Sequence, residues 1–266
     1  MDEKQVGKAP RVTSLVTGAS SGIGMAFARR LAARGDDLVV VARSEGRLKE
    51  LADELQALGR EVEVLPADLT LADDVGRVEQ RLQSDERPVE LLVNNAGFGT
   101  AGTFVELPVG REDEEIRLNV LALMRLTHAA LPGMLRRGHG RVINVSSVGG
   151  FQPGPNNATY SATKAFVTSF SEAVHEELRG TGVNVLALCP GFTRTEFHQR
   201  GSFDTEHLPK LAWQTPEAVV DEALAAVEKG KALCVPGLVN KFSASMVHLA
   251  PRGVVRRVSA KVAERF

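Results

Sequence analysis

Short apolar runs rich in β-branched residues recur along this chain, with helical patterns between most of them, and that alternation admits few folds. The runs lie at residues 12–17, 38–42, 62–66, 89–94, 141–145, 183–189 and 231–235. Apolar positions repeat at helical spacing through 23–34, 45–58, 71–83, 110–137, 158–178 and 218–227, with Gly35 and Gly59 placed to close the first two. Strands joined through helices pair in parallel, because each crossover returns the chain to the same end of the sheet. Right-handed crossovers then lay helices on both faces, giving an α/β doubly wound parallel sheet of Rossmann type with about seven strands. No internal repeat, Pro/Ser-rich linker or break in composition divides the chain, so one domain is expected over residues 11–237. A polar tail at 1–10 precedes it and a basic amphipathic helical extension at 238–266 follows.

Lys and Arg number 32 against 33 Asp and Glu, without the basic excess that a nucleic-acid binder carries over its domain. The two cysteines, Cys189 and Cys234, cannot build a disulfide framework or a four-cysteine zinc site. None of the six histidines falls into metal-ligand spacing, so no metal is expected. Residues 1–5 are polar and lack an export signal's apolar segment. The longest wholly apolar runs, such as 38–42, span about five residues, where a membrane helix needs ~18. The expectation is a cytoplasmic protein that acts on a small molecule.

Thr17-Gly18-Ala19-Ser20-Ser21-Gly22-Ile23-Gly24 joins the first strand to the first helix. Glycines there let the backbone turn tightly and approach a ligand, and the helix start offers N–H groups to a pyrophosphate. The G-x-x-x-G-x-G spacing departs from the commoner G-x-G-x-x-G. Its place on the first strand–helix turn nonetheless points to a dinucleotide held by Gly18, Ser20, Ser21, Gly22, Ile23 and Gly24. Residues 18–22 also fit G-x-S-x-G with Ser20 as a hydrolase nucleophile, but that elbow follows several strands and none precedes residue 12. A P-loop needs Lys where this chain has Ile23. A purely structural glycine turn is the remaining alternative.

The second strand ends Val40-Val41-Ala42-Arg43-Ser44, with no carboxylate for a free ribose 2′-hydroxyl. The planar cation of Arg43 suits a 2′-phosphate, so NADP(H) is expected over NAD(H). Glu45 would reverse that preference if the register shifted.

The chain has one tyrosine, Tyr160, and Lys164 follows four residues on, so both share one face of a helix. Ser147 precedes Tyr160 by thirteen residues, at the C-terminal end of the 141–145 run, the end where parallel sheets bind ligands. A cation about 4 Å from a phenol, at an effective dielectric near 20, contributes roughly 4 kcal/mol, or about three pKa units. Lys164 is thus expected to lower Tyr160 towards neutrality and make it a general acid/base. Ser147 would hold the substrate oxygen beside a nicotinamide.

With these residues the sequence resembles the short-chain dehydrogenase/reductases over residues 11–235. The resemblance also rests on Asn94-Asn95-Ala96-Gly97, on Asn119, on Asp68, and on Pro190-Gly191-Phe192-Thr193-Arg194-Thr195. It implies strand order 3-2-1-4-5-6-7, homodimers or homotetramers, and a Ser147–Tyr160–Lys164 centre in which Asn119 supports a water-linked relay to Lys164. Asp68 would lie beside the adenine, Asn95 near the ribose, and Thr193 and Thr195 near the nicotinamide carboxamide. Leu69, Ala96, Gly97, Pro190 and Gly191 would complete the cofactor contacts with Tyr160 and Lys164. On that order Cys189 and Cys234 sit on adjacent strands as small core residues.

Phe98, Phe151, Phe192, Phe197 and Trp213 fall near these loops and are expected to line the substrate side, which favours a bulky, poorly charged carbonyl or alcohol. Residues 241–266 hold six Lys/Arg against one acid, Glu264, with Val254, Val258, Val262 and Phe266 as an apolar stripe. Such a helix can pack on its own core, dock on a partner subunit, or touch an anionic membrane. The functional expectation is an NADP(H)-dependent oxidoreductase acting on a carbonyl or secondary alcohol. The alternatives are a reductase of C=N or C=C bonds and a non-enzymatic NADPH-sensing protein.

Overall fold

The computed structural model describes residues 12–197 and 213–263, so the tail at 1–10 and Glu264, Arg265 and Phe266 lie outside the described residues. Seven parallel strands form one sheet: β1 (Thr13–Thr17), β2 (Asp37–Ala42), β3 (Val62–Pro66), β4 (Val89–Asn94), β5 (Gly140–Val145), β6 (Val183–Leu188) and β7 (Leu233–Cys234). Their order is β3-β2-β1-β4-β5-β6-β7. Pairing Leu15 with Val39 and Leu92, and Val142 with Leu92 and Val185, turns one member of each strand to the same face. The next residues, Val16, Val40, Val93, Ile143 and Leu186, turn to the other face, and all are buried.

Two helical layers cover these faces. The helices α1 (Gly22–Arg34), α2 (Glu45–Gln56) and α7 (Pro216–Glu228) bury Phe27, Leu31, Leu48, Leu55, Val219 and Leu224 against the Val16 side. On the Leu15 side, α3 (Ala72–Gln83), α5 (Leu123–Arg137) and α6 (Ala158–Glu177) contribute Val78, Leu126, Met134 and Val174. Gly35 ends α1 in the left-handed region (φ 113°), its N–H bonding to Ala32 and Leu31 carbonyls, as an αL cap requires.

The stretch read as one helix over 110–137 is α4 (Val109–Ile116), a π-helical segment at Arg117–Ala122, and α5. By length and composition Val109–Arg137 could cross a membrane, but half of its most apolar window is buried, and it packs on β4 and β5. The last strand is shorter than its apolar run. Gly230 and Lys231 donate to the carbonyls of Val227 and Ala226, so they cap α7 before β7 can begin, and Pro236 follows with no N–H to give.

The C-terminal extension is two helices, α8 (Leu238–Leu249) and α9 (Arg252–Ala263), divided at Pro251. Pro251 restarts the helix, in which Val255 and Ser259 turn inward while Val254 and Val258 stay half-exposed. The expected stripe at 254 and 258 is therefore not the buried face, and the Val262 side chain lies outside the described residues.

Candidate active site

Between β1 and β4 the strand order reverses, and outside the carboxyl ends there a cleft of about 940 Å³ opens. Its floor is set by three consecutive residues at the end of β5. Val145 O accepts from Lys164 Nζ at 2.9 Å, and Ser146 Oγ donates to Lys164 O at 2.7 Å. Ser147 Oγ accepts from Gly149 N at 3.0 Å and is hydrogen-bonded to Tyr160. The helix that carries Tyr160 and Lys164 is thereby held against the strand from which Ser147 projects. Gly150 permits this approach, since a Cβ there would lie 2.6 Å from the carbonyl carbon of Lys164.

Burial dominates the electrostatics. It pushes the Tyr160 phenol up to about 12, with the Ser147 bond acting the other way and the charge of Glu115 adding to the rise. Burial also pushes the Lys164 ammonium down to about 8, opposed by Glu115. The expectation that Lys164 lowers Tyr160 is corrected here. The ammonium sits 5.7 Å from the centroid of the Tyr160 ring, donating to Val145 O, and burial sets the direction of the phenol's shift. At neutral pH Tyr160 is a protonated acid beside a largely charged lysine.

The glycine turn meets the cleft through Gly18, Ser20, Ser21, Gly22 and Ile23. Gly18 (φ 65°) and Gly22 (φ 54°) take left-handed conformations, and no acidic side chain stands in the first turn of α1. Gly24 does not face the cleft, contrary to expectation. A Cβ at Gly24 would lie 2.3 Å from Gly18 O and 2.4 Å from Asn95 Nδ2, so its role is to let α1 approach the turn. Asn95 is itself a brace, its Nδ2 donating to Thr17 O at 2.9 Å and its N to Thr17 Oγ1 at 2.9 Å. Gly24→Ala should cost roughly 1–3 kcal/mol of stability by overpacking and weaken NADPH binding at least ~10-fold. Gly46→Ala on α2, where nothing lies within 4 Å, should do neither; thermal melts and fluorescence titration compare the two.

Around the turn, Arg43, Asp68, Leu69, Ala96 and Gly97 line the cleft, as do Pro190, Gly191, Thr193 and Thr195 opposite. Asp68 Oδ1 accepts from Thr70 N and Oγ1 at 3.0 and 2.7 Å. Glu45 turns along α2 to Lys49 at 2.7 Å, which leaves Arg43 and Arg47 as the charged side chains lining the β2 end of the cleft. Arg47 pairs with Glu196 at 3.2 Å, joining the start of α2 to the loop after β6.

Asn119 lies on the π segment, buried behind the cleft. Its Nδ2 donates to Phe98 O at 2.8 Å and Thr163 Oγ1 at 3.1 Å, and its Oδ1 accepts from Phe98 N at 3.2 Å. Its side chain thus grips the Phe98 backbone, and a Cβ at Gly97 would stand 2.9 Å from its Oδ1 and 3.5 Å from Lys164 Nζ.

Of the aromatic residues expected on the substrate side, Phe98, Phe192 and Phe197 line the cleft. Phe197 stands 5.7 Å from the Tyr160 ring. Phe151 and Trp213 are absent from the described lining. Phe151 packs with Cys189, Val235 and Ala244, because the 3₁₀ turn Val148–Phe151 directs it under α8, and Trp213 backs Phe192 at 5.8 Å. Both cysteines are buried, and burial pushes each thiol up to about 11.

Glu115 went unread in the sequence. It is wholly buried, and Thr100 donates to its Oε2 from N at 3.0 Å and from Oγ1 at 2.9 Å. Its Oε1 has no hydrogen-bond partner among the described residues, while Glu112 Oε1 accepts from the same Thr100 hydroxyl at 2.7 Å. Burial pushes Glu115 up to about 7, with Thr100 opposing and Glu112 adding to the rise. Its place one turn before Asn119 was the only available signal: residues four apart on a helix share a face, and this face points inward.

The sheet order, the cleft at its reversal and this side-chain centre agree with the family match over residues 13–205, and the chain belongs to the short chain dehydrogenase family. It is 35% identical to the ketoacyl reductase HetN of Nostoc sp., over 81% of this chain and 75% of that protein. A short-chain dehydrogenase from Sphingobium yanoikuyae, solved in complex with NADPH, superposes with a TM-score of 0.81 at 40% identity, covering 88% of this chain and 91% of the other. The bulky-bulky ketone specific alcohol dehydrogenase of Comamonas testosteroni superposes with a TM-score of 0.77 at 34% identity, covering 91% and 95%.

Proposed function

We propose that this protein is an NADP(H)-dependent oxidoreductase that transfers a hydride between nicotinamide and the carbonyl or secondary-alcohol carbon of a moderately large, mostly apolar substrate. The observation that carries this reading is the Ser147–Tyr160 hydrogen bond on the floor of the 940 Å³ cleft, with Lys164 fixed behind it.

The cofactor, when bound, supplies the hydride. Gly18 and Gly22, left-handed at the start of α1, would cradle its pyrophosphate, and Arg43, on the cleft lining at the end of β2, would meet a 2′-phosphate. Ser147 receives the Gly149 N–H on its oxygen, and its hydroxyl, bonded to Tyr160, would turn its proton to a substrate oxygen that binds between them. Tyr160, protonated at neutral pH, gives its proton to that oxygen as negative charge develops there. Lys164 keeps a positive charge next to the phenolate that results. The apolar rings of Phe98, Phe192 and Phe197 favour a bulky ketone. The NADPH-bound and ketone-specific relatives support the same choice. The reading also makes the protein a cytoplasmic homodimer or homotetramer, with the stacked Phe166 and Phe170 rings of α6 as an apolar contact for a second copy.

An NADPH-oxidation screen across ketones of increasing size tests the reading. Turnover with NADPH is expected, and tight NADPH binding with no consumption across the screen would replace it with a sensing role. Losing a charge-assisted bond to phosphate costs about 1.5–3 kcal/mol. Arg43→Asp should therefore shift the NADPH/NADH ratio of kcat/KM by roughly 10–100-fold towards NADH, and an unchanged ratio would refute the 2′-phosphate role.

A further inference from the structure

Leu238, Phe242 and Met246 recur every four residues on α8 and are 83%, 68% and 55% exposed, with Val239 half-exposed beside them. The inward side of the same helix holds Ala244, buried with Cys189 and Val235. The helix thus turns Leu238, Phe242 and Met246 outward, the reverse of a helix packed on its own core. On α9, Val254 and Val258 are also half-exposed, among the exposed Arg252, Arg256, Arg257 and Lys261. Residues 238–263 contain five Lys/Arg and no Asp or Glu.

We propose that α8 and α9 form a docking surface for an anionic lipid bilayer. The outward apolar row of α8 enters the headgroup boundary, and the α9 cations meet lipid phosphates and carboxylates. Charge argues against a second copy of the chain as the cover. Glu222 already pairs with Lys241 at 2.9 Å, so a two-fold contact, which sets a patch against itself, would oppose the four α9 cations with one another and offer them no carboxylate from either helix. An anionic surface complements the same patch.

The surface adjoins the cleft at two places. Val258, Ser259 and Ala263 of α9 line its outer wall, and Asn156 Nδ2 donates to Ala263 O at 3.3 Å. Asn240 of α8 lies against Gly191, where a Cβ would stand 2.4 Å from its Oδ1. An apolar substrate dissolved in the bilayer would therefore enter beside the docked helices; this part of the proposal rests on the oxidoreductase reading, while the docking does not.

The test is flotation of the full chain with vesicles of phosphatidylcholine alone and of phosphatidylcholine mixed with phosphatidylglycerol, scored alongside NADPH oxidation in free solution. Binding to the mixed vesicles, weakened by high salt, is expected. The triple variant Leu238→Ser, Phe242→Ser, Met246→Ser should lose vesicle binding roughly tenfold or more while its oxidation rate is unchanged. Arg256→Glu with Arg257→Glu should remove most of the salt dependence. No flotation with mixed vesicles, or equal flotation of the triple variant, would overturn the proposal. So would a self-association, seen by sedimentation velocity, that the triple variant abolishes. An inactive wild-type chain that still floats would sink the oxidoreductase reading and leave the docking surface standing.

Discussion

Tyr160→Phe should lower turnover of an accepted ketone by about 10²–10⁴-fold, the usual contribution of a positioned acid, while NADPH affinity stays within a few-fold of wild type. The substitution removes one oxygen, the one bonded to Ser147, and leaves the ring tilted against Phe197 and beneath the Lys164 ammonium. Steady-state kinetics with a parallel NADPH titration separate the two effects. Near-wild-type turnover would remove Tyr160 from the chemistry. In the wild type, reductive turnover should fall as pH rises past about 8, where Lys164 loses its charge while Tyr160, near 12, keeps its proton.

Glu115→Gln should stabilise the protein at pH 8 and flatten its dependence on pH. The carboxyl lies at about 7 in the folded chain against 4.5 ordinarily, so the native state binds more protons than the unfolded state between those values. Stability from this group is then fully present below about pH 4.5 and is lost as pH rises through 7. The shift corresponds to at most about 3.5 kcal/mol, from ~1.4 kcal/mol per unit. Glutamine keeps an oxygen for the Thr100 N–H and carries no charge to desolvate. Urea midpoints at pH 5 and pH 8 check this, and an unchanged pH slope in the variant would refute it. Because Glu115 also raises Lys164, the basic limb of the activity profile should move to lower pH in the same variant, which a purely structural role would not produce.

Much of the sheet was legible because a strand's two-residue period and a helix's 3.6-residue period are local properties. Val16 and Leu15, or Val40 and Val39, belong to opposite layers whatever lies on them. The glycine turn and the Tyr160–Lys164 spacing were legible for the same reason, since a φ above zero or a shared helix face is decided within a few residues. The C-terminal stripe misled because spacing shows which residues share a helix face but not which face meets the core, and here Val255 and Ser259 rather than Val254 and Val258 turn inward.

The elements, their parallel pairing and the chemistry gathered at one helix and one turn follow from spacing along the chain. Whether a charge is favoured at a given atom follows instead from what the fold removes from water around it. Tyr160 is pushed up by burial although a lysine stands near, and Glu115 faces Thr100 and Lys164 from another helix. Phe151 and Trp213 spend their rings on packing rather than on the cleft. Desolvation and opposing neighbours are properties of segments far apart in sequence, and no local period encodes them.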